Sequence, residues 1–190
     1  MILIVDNYDS FTHNIAQYVL ENNIPIELVK NDQIDFDKLD CKKYSHIIIS
    51  PGPGNPNNTG LSYDLIDRYY MKFPILGICL GHQLIGHYFG CEIVEHKEIF
   101  HGKVSSITNN QNDRVLYNNI PAEFEGTRYH SLVIDRNTIS NKLMITAELN
   151  DKTIMGIKHR KYPVFGVQYH PESIETKYGK KIIKNFILNV

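Results

Sequence analysis

An α/β fold is predicted: a three-layer sandwich with a largely parallel central sheet, helices on both faces and antiparallel additions in the C-terminal half. Three observations in the 190 residues carry this expectation. Short apolar runs such as "ILIV", "III" (47–49) and "ILGI" suit strands buried on both faces. Segments with apolar residues at helical spacing alternate with them, the pattern of a parallel sheet joined by crossover helices. From about Cys91 onward the texture changes to short apolar segments separated by polar turns, which read as antiparallel additions to the same sheet.

Taken in order, Ile2 to Val5 is the first buried strand, and Asp6–Ser10 breaks it. Phe11, Ile15 and Val19 then recur at helical spacing until "ENN" ends the helix. "IPIELVKN" and "HIIIS" (46–50) are the next strands, and Gly60 to Met71 is a helix with Leu61, Leu65, Ile66 and Tyr69 on one stripe. "PILGI" (74–78) is again a buried strand, followed by a helix from Leu80 to Phe89. "KVSSIT", "SLVID", "LMITAEL", "IMGIKH" and "VFGVQYH" are the later additions to the sheet. A helix from Thr176 to Leu188 turns Tyr178, Ile182, Ile183, Phe186 and Ile187 inward. Neither repeat nor linker is visible, so residues 1–190 are expected to form a single domain.

Composition narrows the function classes. With 42% hydrophobic and 22% charged residues the chain can bury an ordinary core, and disorder is not expected. A net charge of −1 with scattered Lys and Arg argues against nucleic acid or an anionic membrane as partner. Cys41, Cys79 and Cys91 are odd in number and form no CxxC pair, so neither a disulfide framework nor a zinc site is expected. "MILIVDNYDS" has no basic lead, and its apolar run is too short for a signal peptide or membrane span. A soluble chain in a reducing cytoplasm, with no metal and no cofactor, is the expectation.

Three motifs carry chemistry. In "GICLGHQ" (77–83) Cys79 lies between a predicted strand and a predicted helix, flanked by Gly77 and Gly81. A strand-to-helix turn projects its side chain at the carboxyl edge of the sheet, and the helix N-terminus favours a thiolate. A packed structural cysteine is the plain alternative, but it has no need of glycines on both sides. A nucleophilic cysteine needs a base, and "FGVQYHPES" (165–173) offers His170 and Glu172 after another strand, with Glu172 placed to orient the imidazole. "SPGPGNP" (50–56) follows a third strand, and Gly52 and Gly54 let its backbone approach a ligand closely. It lacks the Gly-Lys-Ser/Thr of a phosphate loop, so it suits an oxyanion N–H paired with that of Leu80.

Together these motifs resemble the class I glutamine amidotransferases, which use a Cys-His-Glu triad. "DNYDSFTHN" (6–14) and "RYHSL" (128–132) narrow the likeness to the small glutaminase subunits of anthranilate synthase and aminodeoxychorismate synthase. The resemblance implies that Cys79 attacks the side-chain amide of L-glutamine, that His170 moves the protons and that Glu172 orients His170. It implies oxyanion N–H groups from Gly52 and Leu80. Gln83 and the Ser131–Leu132 backbone would hold the amino-acid end of glutamine, with Gly54 shaping the pocket. It also implies a separate large, chorismate-binding synthase subunit that consumes the ammonia, with "DNYDSFTHN" and "FHGK" (100–103) as candidate contacts; helix capping by Asp9 or Ser10 is the plain alternative for the first. The other readings are a subunit of a GMP-forming or carbamoyl-phosphate-forming synthetase, a cysteine peptidase or esterase on a similar fold, and a degenerate docking subunit.

Overall fold

The computed structural model describes residues 1–39, 42–96, 102–110 and 113–190. The apolar runs form its centre. β1 (Ile2–Asp6) pairs in parallel with β2 (Ile26–Lys30) on one side and β3 (His46–Ile49) on the other. β3 pairs in parallel with β4 (Ile75–Ile78). Side chains alternate across these strands, so each strand feeds two cores. Ile2, Ile4, Ile48, Leu76 and Ile78 pack on one face with residues of α1 (Thr12–Leu20) and α4 (Gly179–Leu188). Leu3, Val5, Ile47, Ile49 and Ile75 pack on the other with α2 (Ser62–Tyr69) and α3 (Leu80–Tyr88). Burial on both faces is why β1 and β4 carry no polar alternation, whereas the half-buried edge strand β2 carries Glu27 and Lys30.

The remaining elements are β5 (Ile93–Glu95), β6 (Lys103–Asn109), β7 (Glu123–Arg128), β8 (Leu132–Ile134), β9 (Leu143–Glu148), β10 (Ile154–His159) and β11 (Val164–Val167). Among the described residues the main sheet has nine strands in the order β2-β1-β3-β4-β11-β10-β9-β6-β7. β10, β9, β6 and β7 run antiparallel to their neighbours, as the later half of the sequence predicts. Two details differ. "VFGVQYH" contributes β11, which is parallel to β4 and antiparallel to β10, so it closes the parallel half instead of belonging to the additions. "SLVID" does not join the sheet; β8 pairs with β5 in a separate antiparallel ribbon that lies over α3. Apolar alternation marks a strand but not its partner, which is a long-range choice. β5 and β7 have no counterpart among the predicted strands, because "IVE" is only three residues long and "EFEGTR" is mostly polar along its outer face. Among the described residues no helix is long and apolar enough to cross a membrane.

Register brings the functional loops together. Ile49 pairs with Gly77, and Ile78 pairs with Val167. The carboxyl ends of β3, β4 and β11 therefore lie side by side, and the segments beginning at Ser50, Cys79 and Gln168 leave from one edge. Ligands of open α/β sheets bind at that edge.

Candidate active site

Cys79 is the residue between β4 and α3, with φ 52° and ψ −99°. A non-glycine residue in this region is strained, and such strain is held only where the surroundings over-determine it. At this elbow the Cys79 N–H donates to the Val167 carbonyl at 2.8 Å, and the Cys79 carbonyl accepts from the Gln83 N–H at 3.0 Å. The flanking glycines permit the bend. A Cβ on Gly77 would stand 2.3 Å from the Gly81 carbonyl oxygen, and one on Gly81 would stand 2.6 Å from the Ile49 carbonyl oxygen. Gly77 and Gly81 are thus needed for contact between the elbow's own backbone and β3.

His170 and Glu172 follow β11. His170 Nδ1 and Glu172 Oε1 are 2.6 Å apart and both side chains are buried. With Glu172 accepting from Nδ1, the second ring nitrogen is the one left for other chemistry. The His170 backbone is tied on both sides: its N–H donates to Thr127 O at 2.9 Å, and its carbonyl accepts from Thr176 Oγ1 at 2.7 Å. Phe11 and Tyr129 meet the imidazole edge-on, with centroids 5.9 and 5.0 Å away. Burial opposes a charged imidazole at this position. The negative charge and hydrogen bonding of Cys79, then the Glu172 carboxylate, outweigh it and hold His170 well above its usual 6.5. Cys79 is thus close enough for its charge to act on the ring, and among the described residues the buried Nε2 is engaged by no other hydrogen bond. A thiol beside such an imidazole can pass its proton across and act as a nucleophile.

The loop after β3 is anchored by Asn7. Asn7 Nδ2 donates to the Ser50 carbonyl at 2.8 Å, and the Asn7 N–H donates to Ser50 Oγ at 2.9 Å. Asn7 Oδ1 in turn accepts from Asn31 Nδ2 at 3.0 Å. Gly52 is pressed against this anchor: a Cβ there would lie 2.6 Å from Asn7 Cβ and 2.9 Å from Leu80 Cδ2. Part of "DNYDSFTHN" is therefore internal scaffolding. Asp6 is buried and bound by Lys30 and Thr12, Asn7 holds the loop, and Phe11 packs on His170. Tyr8, at φ 61° and 54% exposed, stands out together with Ser10, His13 and Asn14, which are exposed as well. No side chain caps α1 in the way expected of Asp9 or Ser10; Asp9 Oδ1 instead accepts from the N–H of Phe11, the residue before the helix, at 2.8 Å. In "FHGK", Phe100 and His101 lie outside the described residues, while the Gly102 N–H donates to Arg128 O and Lys103 opens β6.

A cavity of about 150 Å³ joins these parts. Cys79, Gly52, Gly54, Leu80, Gln83, Ser131 and Leu132 all line it, together with Pro53, Tyr129 and His130. It is smaller than the roughly 300–1,000 Å³ of sites for drug-sized ligands, which suits one amino acid. A larger groove of about 640 Å³ runs past Asn55–Asn57 and His87 and touches the site only at Leu132. It holds no member of the Cys79 constellation. Gln83 Nε2 donates to Leu132 O at 2.9 Å and to Gln168 Oε1 at 3.2 Å. Both amide protons are used, so the carbonyl oxygen is what Gln83 offers to the cavity. That end accepts a hydrogen bond and matches an ammonium, not a carboxylate.

Sequence reasoning missed Gln168, Asn7 as an anchor, and Tyr129. A signal for Gln168 exists: it is a lone polar residue inside the apolar run "VFGVQYH". His82 and His130, the other buried histidines around the site, are neutral. Burial holds His82 at about 4; burial and then the Arg128 guanidinium hold His130 at about 3. Among the described residues no group of three or more His, Cys, Asp or Glu is arranged to hold a metal.

The fold and this grouping define an α/β protein with a cysteine, a histidine and a carboxylate gathered at one sheet edge. The family model for class-I glutamine amidotransferases matches residues 3–190, and the chain belongs to that family. It is 46% identical over 188 residues to the bifunctional protein TrpGD of Thermotoga maritima, covering 98% of this chain but only 32% of that one. It is also 46% identical to anthranilate synthase component 2 of Cyanophora paradoxa, covering 98% of each, and 39% identical to aminodeoxychorismate/anthranilate synthase component 2 of Bacillus subtilis, covering 98% and 95%. Among solved structures, a putative GMP synthase subunit from Thermoplasma acidophilum superposes with TM-score 0.87 at 28% identity, covering 98% of this chain and 91% of that one. A glutamine amidotransferase from Thermotoga maritima superposes with TM-score 0.82 at 14% identity, covering 99% and 96%, and shows the same fold.

Proposed function

We propose that the chain is the glutaminase subunit of a chorismate-using synthase, with Cys79, His170 and Glu172 as its catalytic triad. The observation that carries the triad is the buried His170–Glu172 pair at 2.6 Å, facing a cysteine held at positive φ. Cys79 Sγ gives its proton to His170 Nε2 and attacks the side-chain amide carbon of glutamine. The N–H groups of Gly52 and Leu80 receive the oxyanion; Leu80 opens α3, so its N–H has no acceptor within the helix. His170 returns the proton to the departing ammonia, and Glu172 stabilises the imidazolium between the two transfers. Water, deprotonated by His170, then hydrolyses the thioester and releases glutamate. Gln83 Oε1 accepts from the glutamine ammonium, and the Ser131–Leu132 backbone holds the carboxylate end.

Free ammonia is protonated in neutral water and loses its nucleophilic lone pair, so its consumer must sit beside the site. The names of the relatives at 39–46% identity supply the consumer's class: a large subunit that converts chorismate to anthranilate or aminodeoxychorismate. The GMP-type alternative rests on a solved structure at 28% identity, a weaker sequence likeness. The deciding experiment is Cys79→Ser in the assembled complex. Glutamine-dependent synthesis should vanish while ammonia-dependent synthesis by the large subunit persists. Alkylation by a glutamine analogue should fall on Cys79 and spare Cys91. Retained glutamine-dependent synthesis would remove Cys79 from its role.

A further inference from the structure

Gln168 has no assigned part in the reaction, yet it is fully buried at the centre of the site. It is the first residue past β11, and its N–H donates to Met155 O at 3.0 Å. Its side chain spans the gap between the nucleophile and the substrate pocket. Nε2 lies 3.6 Å from Cys79 Sγ, within reach of an N–H···S hydrogen bond, and Oε1 accepts from Gln83 Nε2 at 3.2 Å. A buried amide is tolerated where its polar atoms find partners, and these contacts give Nε2 and Oε1 one each.

The amide cannot be reversed. Gln83 presents only N–H at this point, because its Nε2 is also committed to the Leu132 carbonyl. That carbonyl accepts in addition from His130 Nδ1 at 3.1 Å, which fixes it as the origin of the chain. Polarity therefore runs one way: Leu132 O accepts from Gln83, Gln168 accepts from Gln83, and Gln168 donates to Cys79. A donor aimed at sulfur in a dry site favours the thiolate over the thiol and fixes the direction of its remaining lone pairs. The same amide removes one of the two rotational choices of Gln83 and so keeps its oxygen toward the cavity.

We infer that Gln168 is a positioning residue that holds Cys79 as an oriented thiolate and locks Gln83 with its carbonyl oxygen toward the substrate. This rests on the reading of Cys79 as nucleophile. Gln168→Met keeps the length and removes the amide. In the full-length chain, the rate of Cys79 alkylation by iodoacetamide should then rise with pH at a midpoint about one to two pH units higher than in the unsubstituted chain. Glutamine turnover should show a lower kcat and a raised KM together, because both contacts of the amide are lost. An unchanged midpoint with Cys79 still labelled would overturn the inference. Absence of preferential Cys79 labelling in the unsubstituted chain would instead overturn the nucleophile reading. If the variant does not fold, side-chain amide NMR of the unsubstituted chain decides. The Gln168 Nε2 resonance, assigned through bonds from its backbone, should titrate with the alkylation midpoint; a flat response rejects the hydrogen bond to the thiolate.

Discussion

His170 and His130 are buried to the same depth, each 3% exposed, and their proton affinities move in opposite directions. Desolvation disfavours both charged rings, so burial alone cannot separate them. Their neighbours do. His170 has Glu172 on Nδ1 and Cys79 close by, two groups that are negative when ionised. His130 has the Arg128 guanidinium, whose Nε donates to His130 Nε2 at 3.1 Å, and so is kept neutral with Nδ1 facing Leu132 O. In the proposed reaction, one ring carries a proton between thiol and ammonia. The other can only hold a loop.

The largest expected effect separates these roles. His170→Asn should lower glutamine turnover by about 100- to 10,000-fold, the usual contribution of a proton-transfer group. His130→Asn should act mainly on KM, through the Leu132 loop. Steady-state glutamate release at saturating glutamine compares them, and equal losses in kcat would erase the distinction.

Next in size is the response to the partner. The loop at Gly52 hangs on Asn7 through a few hydrogen bonds, whereas the His170 backbone is pinned by Thr127 and Thr176. A large subunit that favours one arrangement of the loop should raise glutaminase turnover by roughly 5- to 150-fold, a coupling of about 1–3 kcal/mol. Because His170 and Glu172 stay fixed, the shape of the pH profile should not change. Turnover with and without chorismate and the large subunit, measured across pH, tests both halves. A shifted profile would place the switch at the histidine instead.

Exchanging the charge partners should give smaller effects on rate and clear ones on titration. Glu172→Gln should cost less turnover than His170→Asn and should bring the His170 proton affinity down. Arg128→Met should let that of His130 rise from about 3. Imidazole NMR titrations read both, and movement of both rings in the same direction would refute the assignment of their charge partners.

The smallest effect is on stability. His82 and His130 have folded-state affinities below the ordinary 6.5, so the unfolded chain binds more protons than the folded one in the window between. Stability should therefore fall as pH drops from about 6.5 toward 4, and replacing His82 by Leu should remove up to one proton from that slope, about 1.4 kcal/mol per pH unit. His170 has the opposite sign: its contribution is present below 6.5 and is lost as pH rises through its raised folded value. Urea titrations at several pH values measure the slope.

Much of this is legible in the residues themselves. Short apolar runs suit strands buried on both faces, and they locate β1, β3 and β4 to within a residue. Gly77 and Gly81 mark the elbow because the steric demand that selects glycine is local to the bend. The pairing of His170 with Glu172 is readable for the same reason, since two residues of separation leave little freedom once Pro171 stiffens the turn. What pairs with a strand is not readable: "SLVID" forms its ribbon with β5, and β11 closes the parallel half, by contacts made across the chain.

The sequence by itself determined the chemistry available: one thiol on a turn, an imidazole and carboxylate two residues apart, and a glycine loop. Tertiary structure decided how each group behaves. Nine histidines are chemically identical along the chain. Only folding sets Cys79 against His170, and only folding threads Gln168 between Gln83 and the thiol. The physical reason is that Coulomb and hydrogen-bond energies in a dry interior depend on ångström-scale distances between residues remote in sequence. No local pattern encodes those distances.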